Sequence, residues 1–135
     1  MDSAYIAGLF DGEGSIGLYI TKGCKDSRYK RGYRRPTFVR VISIGSCYLP
    51  VLKRVRDHFG CGQVNPHRRR HPAGNKQMYY WCVGAKAEIT QVLVELLPLL
   101  KEKHAQAEIM LAAIRGEIAE GKALLLLKKL KVRSF

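Results

Sequence analysis

The chain has 135 residues and carries 24 Lys and Arg against 11 Asp and Glu, a formal charge of +13. Its 47% hydrophobic content excludes a disordered chain, the length holds one domain with a real core, and no apolar run reaches membrane-spanning length. A cationic excess of this size implies a polyanionic partner, with nucleic acid ahead of an anionic membrane surface.

Tyr5 to Gly14 reads as a short helix with two unlike faces. Ala4, Ala7, Gly8 and Asp11 fall at helical spacing and make a side of small residues, while Ile6, Leu9 and Phe10 make a side that can sink into a core. A face without bulk lets a second helix approach closely. Gly12 and Gly14 favour turn conformations, so the helix is expected to stop near Gly12, with Glu13 at its exit. A carboxylate there, at the foot of a close helix–helix contact, could share or position a metal ion. The plainer alternative is a buried helix and a glycine turn whose acids are only solvated.

Ser15 to Lys22 alternates as a half-buried strand, with Ile16, Leu18 and Ile20 on one face and Ser15, Gly17, Tyr19 and Thr21 on a flat, wet face. Gly23 to Pro36 is a loop in which Lys25, Arg28, Lys30, Arg31, Arg34 and Arg35 surround Tyr29 and Tyr33. Such a loop touches phosphates with its charges and sugars or bases with its rings; otherwise it is a solvated hairpin connection. Thr37 to Ser46 is a second strand. Phe38, Arg40, Ile42 and Ile44 share one parity and Val39, Val41 and Ser43 the other, and this alternation does not decide which face is exposed.

Tyr48 to Phe59 follows helical spacing through Leu49, Leu52, Val55, Arg56 and Phe59, and Gly60 closes it. Cys61 to Arg70 and Lys76 to Gly84 form a second hairpin around the turn His71-Pro72-Ala73-Gly74-Asn75, which Arg68, Arg69 and Arg70 precede. In the return strand Tyr79, Trp81 and Val83 are core positions, and Met78, Tyr80 and Cys82 face out. Lys86 to Leu97 is a helix that Pro98 interrupts. Glu102 to Ile118 resumes helix with Ala107, Met110, Leu111, Ile114 and Ile118 inward, Gly121 breaks it, and Ala123 to Val132 is a last amphipathic helix. Residues 1–121 are read as the domain and 122–135 as its helical tail. The four cysteines, Cys24, Cys47, Cys61 and Cys82, form no CxxC pair and read as reduced thiols of an intracellular protein without a signal peptide. A zinc site from Cys61, His67, His71 and Cys82 is the alternative, although its spacing fits no common pattern and the intervening arginines repel a cation.

Ile6-Ala7-Gly8-Leu9-Phe10-Asp11-Gly12-Glu13-Gly14 resembles the nonapeptide of the LAGLIDADG homing endonucleases, counting Ile for Leu, Gly for Ala and Glu for Asp. The order helix, strand, strand, helix, strand, strand, helix is similar to the single-motif form of that fold, so the resemblance covers the chain to about Ile118. It implies an α+β domain, αββαββα, whose four-stranded antiparallel sheet has helices on one face and a free, basic face for the major groove of double-stranded DNA. Ser15, Tyr19, Thr21, Arg40, Ser43, Gln63, Asn65, His67, Met78 and Tyr80 would then lie against the bases, with Lys25, Arg28, Lys30, Arg31, Tyr33, Arg34, Arg35, Arg68, Arg69, Arg70 and Lys76 on or near the backbone. It also implies a homodimer through Ala4, Ala7, Gly8 and Asp11, and a pseudo-palindromic target.

The same resemblance implies that Glu13, with the Gly12 carbonyl beside it, holds Mg²⁺ or another divalent cation. Lys103, in Leu97 to Ala107, falls at the family's basic residue and would stabilise transition-state charge or position a water. Where family members commonly carry a water-ordering glutamine after the second strand, this chain has Ile44-Gly45-Ser46-Cys47, with Ser46 the nearest polar equivalent. Asp11 is assigned mainly to structure. The rival readings are a non-cutting binder or maturase-like RNA splicing factor on the same fold, and a basic protein with a structural zinc.

Overall fold

The computed structural model describes residues 1–21, 24–25, 33–34, 37–67 and 77–132, with the backbone alone at 24–25, 33–34 and 132. Its elements are α1 (Ser3–Glu13), β1 (Gly14–Thr21), β2 (Cys24–Lys25), β3 (Tyr33–Arg34), β4 (Thr37–Ser46), α2 (Leu49–Phe59), β5 (Gln63–Pro66), β6 (Tyr79–Val83), α3 (Lys86–Leu96), a 3₁₀ turn (Leu97–Leu99), α4 (His104–Ile114) and α5 (Glu120–Val132). The main sheet runs β1-β4-β6-β5, antiparallel throughout, and β2 pairs with β3 as a separate two-residue ribbon.

Register decides what alternation left open. Ile16 stands opposite Ile42 and Ile42 opposite Val83, while Ile44 stands opposite Trp81. All five are sealed under the helices, so the even-numbered residues of β4 face the core. Trp81 stacks on Phe59 of α2 with ring centroids 5.7 Å apart and donates its indole N–H to the Cys61 carbonyl at 3.0 Å. Gly62 permits this: its φ is +89°, and a Cβ there would sit 2.3 Å from the indole nitrogen. Leu52, Val55, Ile89, Val92, Leu93, Leu96, Ala107 and Met110 complete the core from α2, α3 and α4.

Several expected boundaries move. Gly12 stays inside α1, which runs to Glu13, and Gly14 is extended with φ −86°. Gly14 is needed for closeness rather than for a turn: a Cβ would lie 2.4 Å from the Phe10 carbonyl oxygen and 2.8 Å from its ring. Ile20 belongs to the core parity but is 51% exposed, because β1 outruns the helical cover there. The helix expected to reach Ile118 ends at Ile114. Gly116 takes φ +77°, Glu117 N–H returns to the Ala112 carbonyl at 2.9 Å and Gly116 N–H to that of Ala113 at 3.2 Å, a paired C-terminal cap. Gly121 lies within α5 rather than breaking a helix. That last helix buries Ala123 and Leu127, packing on α4 and β1.

Candidate nucleic-acid interface and catalytic corner

The uncovered face of the sheet is built in rows. Thr21 stands opposite Thr37, Tyr19 opposite Val39 and Gly17 opposite Val41. Ser15, Ser43, Cys82 and Gln63 form one row across all four strands, and Gly45, Tyr80 and Asn65 form the next. The Tyr80 ring lies over Gly45, where a Cβ would come within 2.6 Å of it, and packs at a tilt against His67 with centroids 5.3 Å apart. Gln63 and Asn65 are exposed, and His67 and Met78 share their end of the hairpin through His67 N–H on the Met78 carbonyl at 2.8 Å.

Two expectations about this face are corrected. Arg40 has the core parity and pairs with Glu120 of α5 at 2.6 Å, its side chain only 13% exposed, so it ties the last helix to the sheet rather than facing the groove. The described strand residues of the open face of the main sheet carry no formal charge, so that face is polar and apolar rather than basic along its strands. Arg28, Lys30, Arg31, Arg35, Arg68, Arg69, Arg70 and Lys76 lie outside the described residues, as do His71 and the turn around it, and the side chains of Lys25, Tyr33 and Arg34 are likewise outside them.

At one end of this face is the corner where α1 meets β1. Glu13, the last residue of α1, and Gly12 before it are exposed. Asp11 turns the other way and binds the segment entering α4. Its carboxylate accepts from the backbone N–H of Lys101 at 2.9 Å and of Lys103 at 3.0 Å, and its carbonyl oxygen accepts from Lys103 Nζ at 2.6 Å. That ammonium satisfies a carbonyl left over at the helix C-terminus and offsets the negative end of the helix dipole. Glu13 places a carboxylate at that same negative end, an arrangement unfavourable for an isolated helix. Ser46, at the end of β4, accepts from the Tyr48 N–H at 3.0 Å in the turn into α2. Its hydroxyl is therefore already engaged in local structure.

The outward side of α1 differs from the expected stripe. Ala7 is buried in the chain's own core, and Asp11 is held by the α4 approach. Ala4, Tyr5, Gly8 and Gly12 are exposed, and a Cβ at Gly8 or Gly12 would meet nothing within 4 Å. Among the described residues no three His, Cys, Asp or Glu side chains gather as a metal site. Cys47, Cys61 and Cys82 are free thiols. Burial pushes the Cys61 and Cys82 thiols up, and at Cys61 the neighbouring Glu88 charge adds to the effect. Among the described residues, no helix is long and apolar enough to cross a membrane.

Missed in the sequence were the Asp11 clamp on Lys101 and Lys103 and the outward placement of Val39 and Val41. The register, which sets Ile16 opposite Ile42, decides the second, since directly opposed residues share a face, and alternation within β4 carries no signal for it.

Comparison with known proteins adds the following. The family model described as LAGLIDADG endonuclease matches residues 6–108. The homing endonuclease I-CvuI, solved in complex with a DNA target in the presence of Mg and with the DNA not cleaved, is 25% identical with a TM-score of 0.66, over 96% of this chain and 80% of that one. The archaeal intron-encoded homing endonuclease I-Vdi141I, complexed with DNA, is 22% identical with a TM-score of 0.66, over 98% of this chain and 84% of that one. The homing endonuclease I-TnaI is 21% identical with a TM-score of 0.62, over 96% and 85%. No curated protein matches the chain.

Proposed function

The chain belongs to the LAGLIDADG endonuclease family, and from that premise we propose that it is a homodimeric, site-specific endonuclease that makes a divalent-metal-dependent double-strand cut in a long pseudo-palindromic DNA target. The observation that carries the reading is the corner at the end of α1, where the exposed Glu13 lies two residues from the carbonyl gripped by Lys103. An acid and a cation thus stand at the same helix end, beside one end of the sheet face that the helices leave open.

The donor set fits a hard cation. Glu13 offers a carboxylate and Gly12 a carbonyl at a helix end, oxygen ligands of the kind Mg²⁺ takes while keeping several waters. One carboxylate per chain is a thin site. Two copies joined along Ala4, Gly8 and Gly12 would bring two Glu13 side chains together, and like charges that close need a cation between them. When bound, such a cation lowers the pKa of water and stabilises charge on the leaving oxygen of a phosphodiester.

The remaining roles belong to the chain. Lys103, fixed by its bond to the Asp11 carbonyl, would hold positive charge beside the scissile phosphate. The open face would lie in the major groove. The cations of the two connecting stretches, 22–36 and 68–76, would contact phosphates, setting position and a steep salt dependence rather than sequence. Such an enzyme acts inside a cell or organelle, wherever its target DNA is.

Cleavage of a randomised duplex library with Mg²⁺, wild type beside Glu13→Gln, tests the proposal. Recovery of one long, two-fold-related cut site by wild type, which Glu13→Gln binds without cutting, is the expected result. Salt-sensitive binding without cleavage by either protein would leave a non-cutting nucleic-acid binder on the same fold.

A further inference from the structure

We propose that the outer halves of β1 and β4 read thymine by its C5 methyl group, so that each half-site of the DNA target carries thymines about two base pairs apart. The inference rests on the DNA-binding reading above and adds a base preference to it.

The four-stranded part of the sheet is short. Strand β6 ends at Val83, opposite Ile42, whereas, among the described residues, β4 continues back to Thr37 with only β1 beside it. Gly17–Thr21 and Thr37–Val41 therefore form a two-stranded ribbon, the β-structure whose width the major groove admits. The back of the ribbon is secured by buried Leu18 and by Arg40 in its ion pair with Glu120. Its register cannot slip without sending that arginine to the wrong face.

With the register fixed, β4 turns two apolar side chains, Val39 and Val41, toward the groove, inside the Thr21–Thr37 row that ends the ribbon. Val41 lies opposite Gly17, whose missing side chain leaves the valine methyls uncovered; a Cβ there would sit 3.3 Å from Val41 Cγ1. Val39 lies opposite Tyr19, which is 49% exposed. These side chains line a concavity of about 650 Å³ together with Gln63 and Cys82, and the charged Arg40 and Glu88, which are part of the same lining, leave the valines as its apolar stretch. Valine offers no hydrogen bond. Against the amino group of adenine or cytosine, or the acceptors of guanine, it would strip water from a polar edge and return nothing. Thymine alone presents an apolar group in the major groove.

Geometry then sets the spacing. Residues on one face of a strand repeat about every 6.8 Å, close to two base-pair rises of about 3.4 Å. Val41 and Val39 would thus address positions about two base pairs apart. Counted along β1 from Glu13, their partners Gly17 and Tyr19 fall about four and about six base pairs from the cut.

The test is selection of bound duplexes from a randomised library with Ca²⁺ in place of Mg²⁺, followed by replacement of single thymines with deoxyuridine, which lacks only the methyl. Thymine enriched at two positions two base pairs apart in each half-site, with deoxyuridine at either weakening binding about fourfold, is the expected result. Val41→Thr, which keeps the side-chain shape but exchanges one methyl for a hydroxyl, should shrink the thymine–deoxyuridine difference at the inner position only, and Val39→Thr at the outer only. A selected site lacking thymines at that spacing, or bound equally well with deoxyuridine, overturns the inference and leaves the nuclease reading standing. Retention of no duplex at all overturns both.

Discussion

Asp11 and Lys103 hold each other twice: the Asp11 carboxylate takes the Lys103 backbone N–H at 3.0 Å, and Lys103 Nζ reaches the Asp11 carbonyl at 2.6 Å. A third bond, from Lys101 N–H to the same carboxylate at 2.9 Å, fixes the segment between the 3₁₀ turn and α4. One aspartate therefore joins the end of α1 to the start of α4, and the position of the lysine follows from it. Asp11→Ala leaves two N–H groups without their charged acceptor. The expected loss is about 2–3 kcal/mol of unfolding free energy, read from the urea midpoint, with cleavage falling beyond what the unfolded fraction explains. An unchanged midpoint would show that water replaces the clamp at no cost.

Lys103→Met separates the chemistry from the scaffold, because the Asp11 carboxylate keeps both backbone N–H bonds. Loss of a cation aimed at developing charge costs about a hundredfold to a thousandfold in rate. Single-turnover cleavage should fall by that order while the Kd for the target site changes only a few-fold. Cutting at the wild-type rate would confine Lys103 to a structural role at the helix end.

Gly8 and Gly14 stand six residues apart in one motif, yet they fail in different ways. A Cβ at Gly14 would lie 2.4 Å from the Phe10 carbonyl oxygen, whereas one at Gly8 meets nothing within 4 Å of its own chain. Gly14→Ala should therefore destabilise the monomer by about 2 kcal/mol or more through overpacking. Gly8→Leu should leave the monomer's unfolding free energy equal or higher, since leucine is the better helix former. Its effect belongs to association: sedimentation velocity should show the dimer separated. A Gly8→Leu dimer indistinguishable from wild type would count against the α1 face as the contact.

The motif, the order of elements and the core stripe of α2 were legible because period and turn chemistry agree there. Leu52, Val55 and Phe59 repeat at helical spacing up to Gly60, which takes φ +68°. Arg40 was not legible as a structural residue. Its partner Glu120 is 80 positions away, and an arginine in a strand of a +13 chain reads naturally as a DNA contact. The limits of α4 and α5 were misplaced for a related reason. Gly116 and Gly121 look alike in sequence, but only Gly116 takes the left-handed conformation, and packing of Ala123 and Leu127 carries the helix through Gly121. The Asp11 clamp was hidden because a backbone N–H of a distant segment leaves no mark on composition or spacing.

Acid should loosen the junction of α1, α2 and α3. Glu95 of α3 accepts from Ser3 of α1 at 2.9 Å and bonds His58 of α2 at 2.6 Å. The His58 hydrogen bond holds the Glu95 carboxyl below its ordinary range, against the opposing effect of burial, with Ser3 assisting. A carboxyl depressed in the folded state contributes stability that is fully present above its unfolded value, about 4.3, and is lost as pH falls through the lower folded value. Wild type should accordingly be more stable than Glu95→Gln above about pH 5, with the difference shrinking below about pH 4. The carboxylate side chain is 40% exposed, so solvent and salt screen the pair and the advantage should also shrink in high salt. Melting temperatures of the two proteins across pH 3 to 7, at low and high salt, give the answer. Parallel curves for wild type and Glu95→Gln at every pH would mean that ionisation of Glu95 contributes no stability to the fold.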